Sequence, residues 1–346
     1  MIVTRTPFRL TLGGGGTDLP SFYEKHGGYI VATGINKYMY VALNVPHADR
    51  KVRLHYTRSE VVDRVEDLKH ELAREALLAH DIRFGIEIAS LADLPAGTGL
   101  GSSSCYLVGL LNAIRAYLSK PATFEEVAEE ACRIELDVLA KPIGKQDQYM
   151  AAAGGVTELH IDRDGHVRVE RISLPEYAVD EFTANTHLYY TNVQRTTIDI
   201  LSEQTKSLKA GRGAVEDNLL KIREIGYRIG EAIRAGDFDR FGLLTHEHWL
   251  AKRELSPDVT VSEAERLYDY VREEYGVLGG KIAGAGGGGF LLLYCPQRYS
   301  DKLTKFMEDQ GMARLSYRAE YEGSRIITNM MSSRAIPMHL PAEVLA

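Results

Sequence analysis

Through the first half of the chain, apolar positions fall in short blocks suited to strands, broken by a few longer stretches at helical spacing. Ile2 to Leu12, Tyr29 to Val45, Lys51 to Tyr56 and Phe84 to Leu91 read as strands, with Pro46-His47-Ala48-Asp49 as a turn. Leu68 to His80 reads as a helix. A second runs from Ser102 to Leu118, where Leu107, Leu110, Leu111, Ile114 and Leu118 form one stripe. A third is expected from Phe124 to about Ala140, ending before Pro142, with Val127, Ala131, Ile134 and Val138 on one face. Gly155 to Ile161 and Val167 to Ile172 flank Asp162-Arg163-Asp164-Gly165 as a hairpin, and His187 to Thr191 offers a further strand.

The second half begins more helically. Leu219, Ile222, Ile225, Ile229 and Ile233 are spaced for a buried helix face, and Val261 to Glu274 and Asp301 to Gln310 read as further helices. Strands are expected at Phe290 to Tyr294, Arg314 to Tyr317 and Arg325 to Asn329. The pattern predicts an α+β protein with a domain boundary between about residues 180 and 215.

Composition narrows the classes of function. Hydrophobic residues make up 45% and charged residues 26% of 346, as in an ordinary globular protein. The formal charge of −7 and the absence of a basic block argue against a nucleic-acid partner. No secretion-signal pattern opens the sequence and no apolar run reaches membrane-spanning length, so a soluble cytoplasmic chain without a membrane partner is expected. Cys105, Cys132 and Cys295 lack metal-ligand spacing and read as reduced, buried thiols. Apolar stripes serve a monomer core or a homo-oligomer seam equally well.

Three glycine-rich segments carry the candidate chemistry. Gly13 to Gly16 precede Thr17 and Asp18; Pro95-Ala96-Gly97-Thr98-Gly99-Leu100-Gly101 leads into Ser102, Ser103 and Ser104 at a helix start; and Lys281-Ile282-Ala283-Gly284-Ala285 runs through Gly286, Gly287, Gly288 and Gly289 into a strand. The middle segment combines a flexible loop with helix-start amides and hydroxyls, which together attract a polyphosphate. Taken alone, it reads equally as a capped helix start. It is not a Walker P-loop, because neither Lys145 nor Lys281 is followed by Ser or Thr. The third segment has loose dinucleotide-fingerprint spacing but opens a strand where that site requires a helix.

In order and spacing these segments, with Arg5-Thr6-Pro7-Phe8-Arg9 before the first, resemble the three motifs of the GHMP small-molecule kinases. The resemblance implies a two-domain fold with mixed sheets. Residues 1–185 would form a nucleotide and phosphate-loop domain, and 186–346 a ferredoxin-like C-terminal domain carrying the substrate site. It also implies ATP and Mg²⁺, with Pro95, Gly97, Gly99, Leu100, Gly101, Ser102, Ser103 and Ser104 around the nucleotide and Ser103, Ser104 and Glu135 around the ion. Asp147 matches the family aspartate beside the acceptor hydroxyl, where it would take the proton or orient it, and Arg9 matches its basic partner. Gly15, Gly16, Thr17, Asp18, Gly286 and Gly287 would shape or contact the substrate site. Without the resemblance, Glu135 reads as a solvated helix charge, Arg9 and Asp147 as unconnected surface residues, and Asp18 as a helix-capping aspartate.

Within the family, Gly15 and Gly16 stand where galactokinases carry an acidic residue and a histidine. The opening motif instead resembles the heptose 7-phosphate kinases, which implies phosphorylation of the anomeric hydroxyl of D-glycero-D-manno-heptose 7-phosphate. A fucokinase-like anomeric kinase and a non-catalytic ATP-binding sensor are the alternatives. Arg195, beside Thr196 and Thr197, is the candidate clamp for the substrate's own phosphate, with a solvated arginine or an interdomain salt bridge as the competing roles.

Overall fold

A computed structural model of the chain describes residues 1–193, 197–209, 213–255 and 262–331. Two antiparallel partners dominate its larger sheet: β1 (Ile2–Gly13) pairs with β2 (Gly28–Asn44) along nearly its whole length. The sheet continues from β2 through β5 (Ile86–Ala92) to β3 (Val52–His55) and β4 (Ser59–Val62), with β11 (Arg325–Asn329) beyond β1. β6 (Val156–Ile161) pairs with the first part of β2 and with β7 (Val167–Arg171), forming the expected hairpin. Only the β3–β5 pairing is parallel among the described strands.

From Phe8 to Gly13 every residue of β1 is buried, so side chains pointing either way from the strand are covered. The cover comes partly from α3 (Ser102–Tyr117) and partly from α8 (Gly213–Arg234). Glycine permits both approaches: a Cβ on Gly13 would stand 3.1 Å from the Cα of Gly226, and one on Gly109 would stand 2.8 Å from Thr6 Oγ1 and 3.2 Å from Thr4 Oγ1. Thr4 Oγ1 also donates to the Gly109 carbonyl at 2.9 Å. Replacing a mid-helix glycine ordinarily gains up to about 1 kcal/mol of helix propensity. At this contact overpacking outweighs that gain, and Gly109→Val is expected to lower the unfolding free energy by about 1–3 kcal/mol. An unchanged denaturation midpoint would count against this contact.

The smaller sheet is antiparallel, in the order β8 (Thr186–Tyr190), β10 (Phe290–Tyr294), β9 (Gly279–Ile282). Around it pack Trp249, Tyr268, Val271, Leu303 and Met307, from α9 (Phe238–Arg253), α10 (Ser262–Glu274) and α11 (Gln297–Asp309). The strand expected at 314–317 is reduced to one bridge between Tyr189 and Arg314, with Leu315 N–H donating to Leu188 O at 2.8 Å.

Other departures are local. The helix expected over Leu68 to His80 is shorter, α2 (Glu71–Leu78), and a separate 3₁₀ turn at Val65–Asp67 precedes it. The stretch from Phe124 divides into α4 (Phe124–Cys132) and a π-helical turn at Arg133–Val138. α4 starts where a capping box closes: Glu126 N–H donates to Thr123 Oγ1 and Thr123 N–H to Glu126 Oε2. Four helices escape the periodicity altogether, namely α1 (Pro20–His26), α5 (Gln146–Ala153), α6 (Glu176–Asn185) and α9. All three cysteines are free and buried, as expected. No helix among the described residues is long and apolar enough to cross a membrane.

Candidate active site

The glycine loop before α3 is held in place from two sides. Gly97, Gly99 and Gly101 have φ of 76°, 77° and 83°, a region that side-chain-bearing residues rarely adopt. A Cβ on Gly99 would stand 2.8 Å from Ala283 O, and one on Gly289 would stand 2.3 Å from Thr98 O, so the late glycine segment lies directly against this loop. On the other side, Arg9 N–H donates to Leu100 O at 3.2 Å and Arg9 Nη1 to Gly99 O at 2.5 Å. Thr98 Oγ1 closes the turn by donating to Pro95 O at 3.1 Å.

At the loop's end, Gly101 is the N-cap of α3 in a left-handed conformation and no side chain caps the helix. The first-turn N–H groups of Ser102, Ser103 and Ser104 are thus left for a ligand, at the positive end of a 16-residue helix. The hydroxyls of Ser103 and Ser104 turn to Glu135, donating at 3.2 and 2.8 Å.

Glu135 sits in the π-helical turn, a distortion that re-aims side chains within a helix. It is buried, and Gln148 Nε2 donates to it at 2.7 Å while Lys141 Nζ lies 3.8 Å away. Burial raises its pKa above the usual carboxylate range, although Ser104, Lys141 and Gln148 pull the other way. A desolvated carboxylate with two hydroxyls beside it is an all-oxygen donor set of the kind Mg²⁺ takes, so these residues fit the ion.

Asp147 lies in the first turn of α5. This helix positions two neighbours at once: Gln148 reaches Glu135, while Asp147 accepts from Arg9 Nε at 2.8 Å and lies 2.7 Å from Arg9 Nη2. Arg9 is buried and Asp147 retains 27% side-chain exposure, so the pair is solid behind and open in front. Gly101 packs beside the pair: a Cβ placed there would stand 3.4 Å from Arg9 Cγ and Asp147 Cγ.

The open side of Asp147 faces a pocket also lined by Arg9, Gly15, Gly16, Asp18 and Gln146. Asp18 is buried and accepts from the Gly16 and Gln146 N–H groups and from Gln146 Nε2 at 3.1–3.2 Å. Burial raises its pKa despite those donors, and Asp147 adds in the same direction. Asp18 therefore both pins the start of α5 and faces the pocket.

Thr17 does not join this wall, which corrects its expected role. Its buried hydroxyl donates toward Gly14 O and Tyr29 O, both at 2.8 Å, and accepts from Tyr29 N–H, so it staples the glycine turn to β2. The late segment contributes Gly284 and Ala285 to the lining, in the place expected of Gly286 and Gly287. Arg195 and Thr196 lie outside the described residues. Sequence reasoning missed Thr11, Gln204, His248, Lys252 and the lysine of the third segment, Lys281, all of which line the same pocket.

Converging donors at a helix start, beside a carboxylate pinned by an arginine, are what phosphoryl transfer from a nucleotide to a hydroxyl requires, and this is the class to which fold and site point: an ATP-dependent small-molecule kinase. Residues 63–155 match the GHMP kinases N terminal domain and 231–311 the GHMP kinases C terminal, together about half of the chain. The chain belongs to the GHMP kinases.

Among curated relatives, the D-glycero-alpha-D-manno-heptose 7-phosphate kinase of Campylobacter jejuni is 28% identical over 90% of this chain and 94% of its own. The L-fucokinase/L-fucose-1-P guanylyltransferase of Bacteroides fragilis is also 28% identical, over 84% of this chain but only 34% of its own length. In fold, the chain is similar to a D-glycero-D-manno-heptose 1-phosphate kinase from Bacteroides thetaiotaomicron, with a TM-score of 0.77 at 20% identity over 96% of this chain and 100% of that one. A Lactococcus lactis galactokinase gives a TM-score of 0.72, also at 20% identity, over 94% of each chain.

Proposed function

We propose that this kinase transfers the γ-phosphoryl group of ATP to the anomeric hydroxyl of D-glycero-D-manno-heptose 7-phosphate, forming the 1,7-bisphosphate in the cytoplasm for nucleotide-activated heptose biosynthesis. The observation carrying this reading is the Arg9–Asp147 pair, 2.8 Å apart on the wall of a pocket shared with the opening glycine motif. That motif resembles the heptose kinases, and a Campylobacter jejuni relative of this name matches along nearly the whole chain.

In this reading the phosphates of ATP lie on the loop from Pro95 to Gly101 and on the free N–H groups at the start of α3. Glu135 and the hydroxyls of Ser103 and Ser104 hold Mg²⁺, which neutralises phosphate charge when bound. Asp147 takes the proton of the acceptor hydroxyl, or orients it, as that oxygen attacks the γ-phosphorus. Arg9 fixes Asp147 and places positive charge where negative charge develops. Asp18 accepts from sugar hydroxyls, and Gly15 and Gly16 let the sugar approach the backbone. The nucleotide-binding part extends over 1–185 and the second domain over 186–346.

The test presents ATP and Mg²⁺ with heptose 7-phosphate, fucose, galactose, mannose and mevalonate, and locates the new phosphate by NMR. Heptose 7-phosphate phosphorylated at C1 with the highest kcat/KM is expected. A higher value for fucose would replace the substrate assignment, and ATP binding with no transfer to any acceptor would favour a sensor. In the same assay Glu135→Gln is expected to raise the Mg²⁺ concentration needed for half-maximal rate at least about tenfold, the scale of losing one charge-assisted ligand contact. An unchanged Mg²⁺ response would remove Glu135 from the ion site.

A further inference from the structure

The pocket that Arg9 lines also holds two lysines and a histidine that the phosphoryl-transfer step does not use. Lys252 and His248 stand one turn apart on α9, and Lys281 projects from β9; all three are at least nine-tenths buried and line the pocket. Lys252 Nζ donates to Ile282 O at 3.1 Å and to Gly284 O at 2.5 Å, and Lys281 Nζ to Leu12 O at 2.8 Å. In the ammonium form each lysine has three N–H donors, which leaves one on Lys252 and two on Lys281 for an anion that brings the proton with it. Neither nitrogen of the His248 ring has a hydrogen-bond partner.

What these groups lack is an anion. Among the described residues neither lysine forms an ion pair with a carboxylate. The charges that act on them are positive: burial and Arg9 bring Lys252 down to about 7, and burial with Lys252 and Arg9 brings Lys281 well below its usual value. Without a counter-charge, burial disfavours the ammonium form of both lysines, and an arriving anion would favour that charged form. A neutral sugar supplies no such charge, whereas a phosphate supplies two negative charges and several acceptor oxygens for the remaining donors.

We propose that Lys252, Lys281 and His248 form the subsite for the phosphate group that the acceptor already carries, a proposal that rests on the acceptor being a sugar phosphate. The γ-phosphate of ATP has the same chemistry, and the test separates the two sources. Calorimetry without nucleotide compares heptose 7-phosphate with unphosphorylated heptose, and a separate titration follows a non-hydrolysable ATP analogue. Lys252→Met is expected to weaken heptose 7-phosphate binding by roughly ten- to a hundredfold while leaving the other two ligands unchanged. His248→Phe removes no hydrogen bond within the protein, so it keeps the packing and is expected to lose roughly three- to tenfold on the phosphorylated sugar alone. Equal losses on both sugars in a variant with wild-type melting temperature, or a loss confined to the ATP analogue, would overturn the subsite.

The substrate reading fails separately. If the wild type neither binds nor phosphorylates heptose 7-phosphate, that reading falls, and inorganic phosphate then probes the subsite directly. A phosphate-induced rise in melting temperature that is present in the wild type and abolished in Lys252→Met and His248→Phe would support it, and an equal rise in all three would overturn it.

Discussion

Asp147→Asn is expected to reduce kcat by about 10²- to 10⁴-fold, the range that a positioned general base contributes, while leaving ATP affinity within a few-fold of wild type. The substitution is nearly isosteric. The asparagine carbonyl still accepts from Arg9, so the start of α5 and the bond from Gln148 to Glu135 stay in place. What disappears is the negative charge beside the acceptor hydroxyl and the capacity to take its proton. Since the pair is buried on the arginine side and open on the aspartate side, the loss falls on the bound acceptor. Single-turnover measurement with saturating nucleotide checks the prediction. A chemical step slowed less than about fivefold would show that Asp147 neither orients the hydroxyl nor accepts its proton.

The parts of this site that can be read in the sequence are those written locally. The loop from Pro95 to Ser104 announces itself because left-handed turns demand glycine and the following helix has a clean apolar stripe. β1 is equally plain, since Phe8, Leu10 and Leu12 alternate with polar residues up to an abrupt glycine end. The Arg9–Asp147 pairing is another matter, because it joins residues 138 apart and only resemblance to a family connects them beforehand. α5 stays hidden because its buried residues include Gln148 beside Tyr149 and four further buried positions, which leaves no polar face to mark the period.

α9 hides for the opposite reason. Its buried face runs through Phe241, Leu244, Thr245, His248, Trp249 and Lys252 at helical spacing, but three of those side chains are polar. Meanwhile Leu243 and Leu250 are 51% and 46% exposed. A pattern in which polar groups point inward and leucines outward has no apolar stripe to find. Polar residues at core spacing are themselves a signal of a site, since burying Lys or His requires a partner. Lys281 heads the third glycine segment, whose close backbone approaches account for its glycines without requiring a lysine there.

Arg9→Lys is expected to cost nearly as much as loss of the aspartate, about 10²-fold or more in kcat/KM, although charge is conserved. The guanidinium directs Nε and Nη2 to one carboxylate oxygen of Asp147 and Nη1 to the carbonyl of Gly99, spanning the acceptor side and the phosphate loop with one rigid plane. An ammonium on a flexible stem is a point charge and cannot hold both partners in the same geometry. Breaking a buried charged pair costs about 3–5 kcal/mol; with Asp147 partly exposed and lysine keeping the charge, a loss of ~2.7 kcal/mol, or about a hundredfold, is expected. Because the arginine acts through Asp147 as well as on the loop, the two substitutions should not add: in the Arg9→Lys, Asp147→Asn double variant kcat/KM should fall little below the worse single variant. The Gly99 contact supplies a second readout, since loosening the loop should also weaken ATP binding, which Asp147→Asn leaves largely intact. Full additivity of the two losses, with ATP affinity unchanged by Arg9→Lys, would show that the arginine neither positions the aspartate nor braces the phosphate loop.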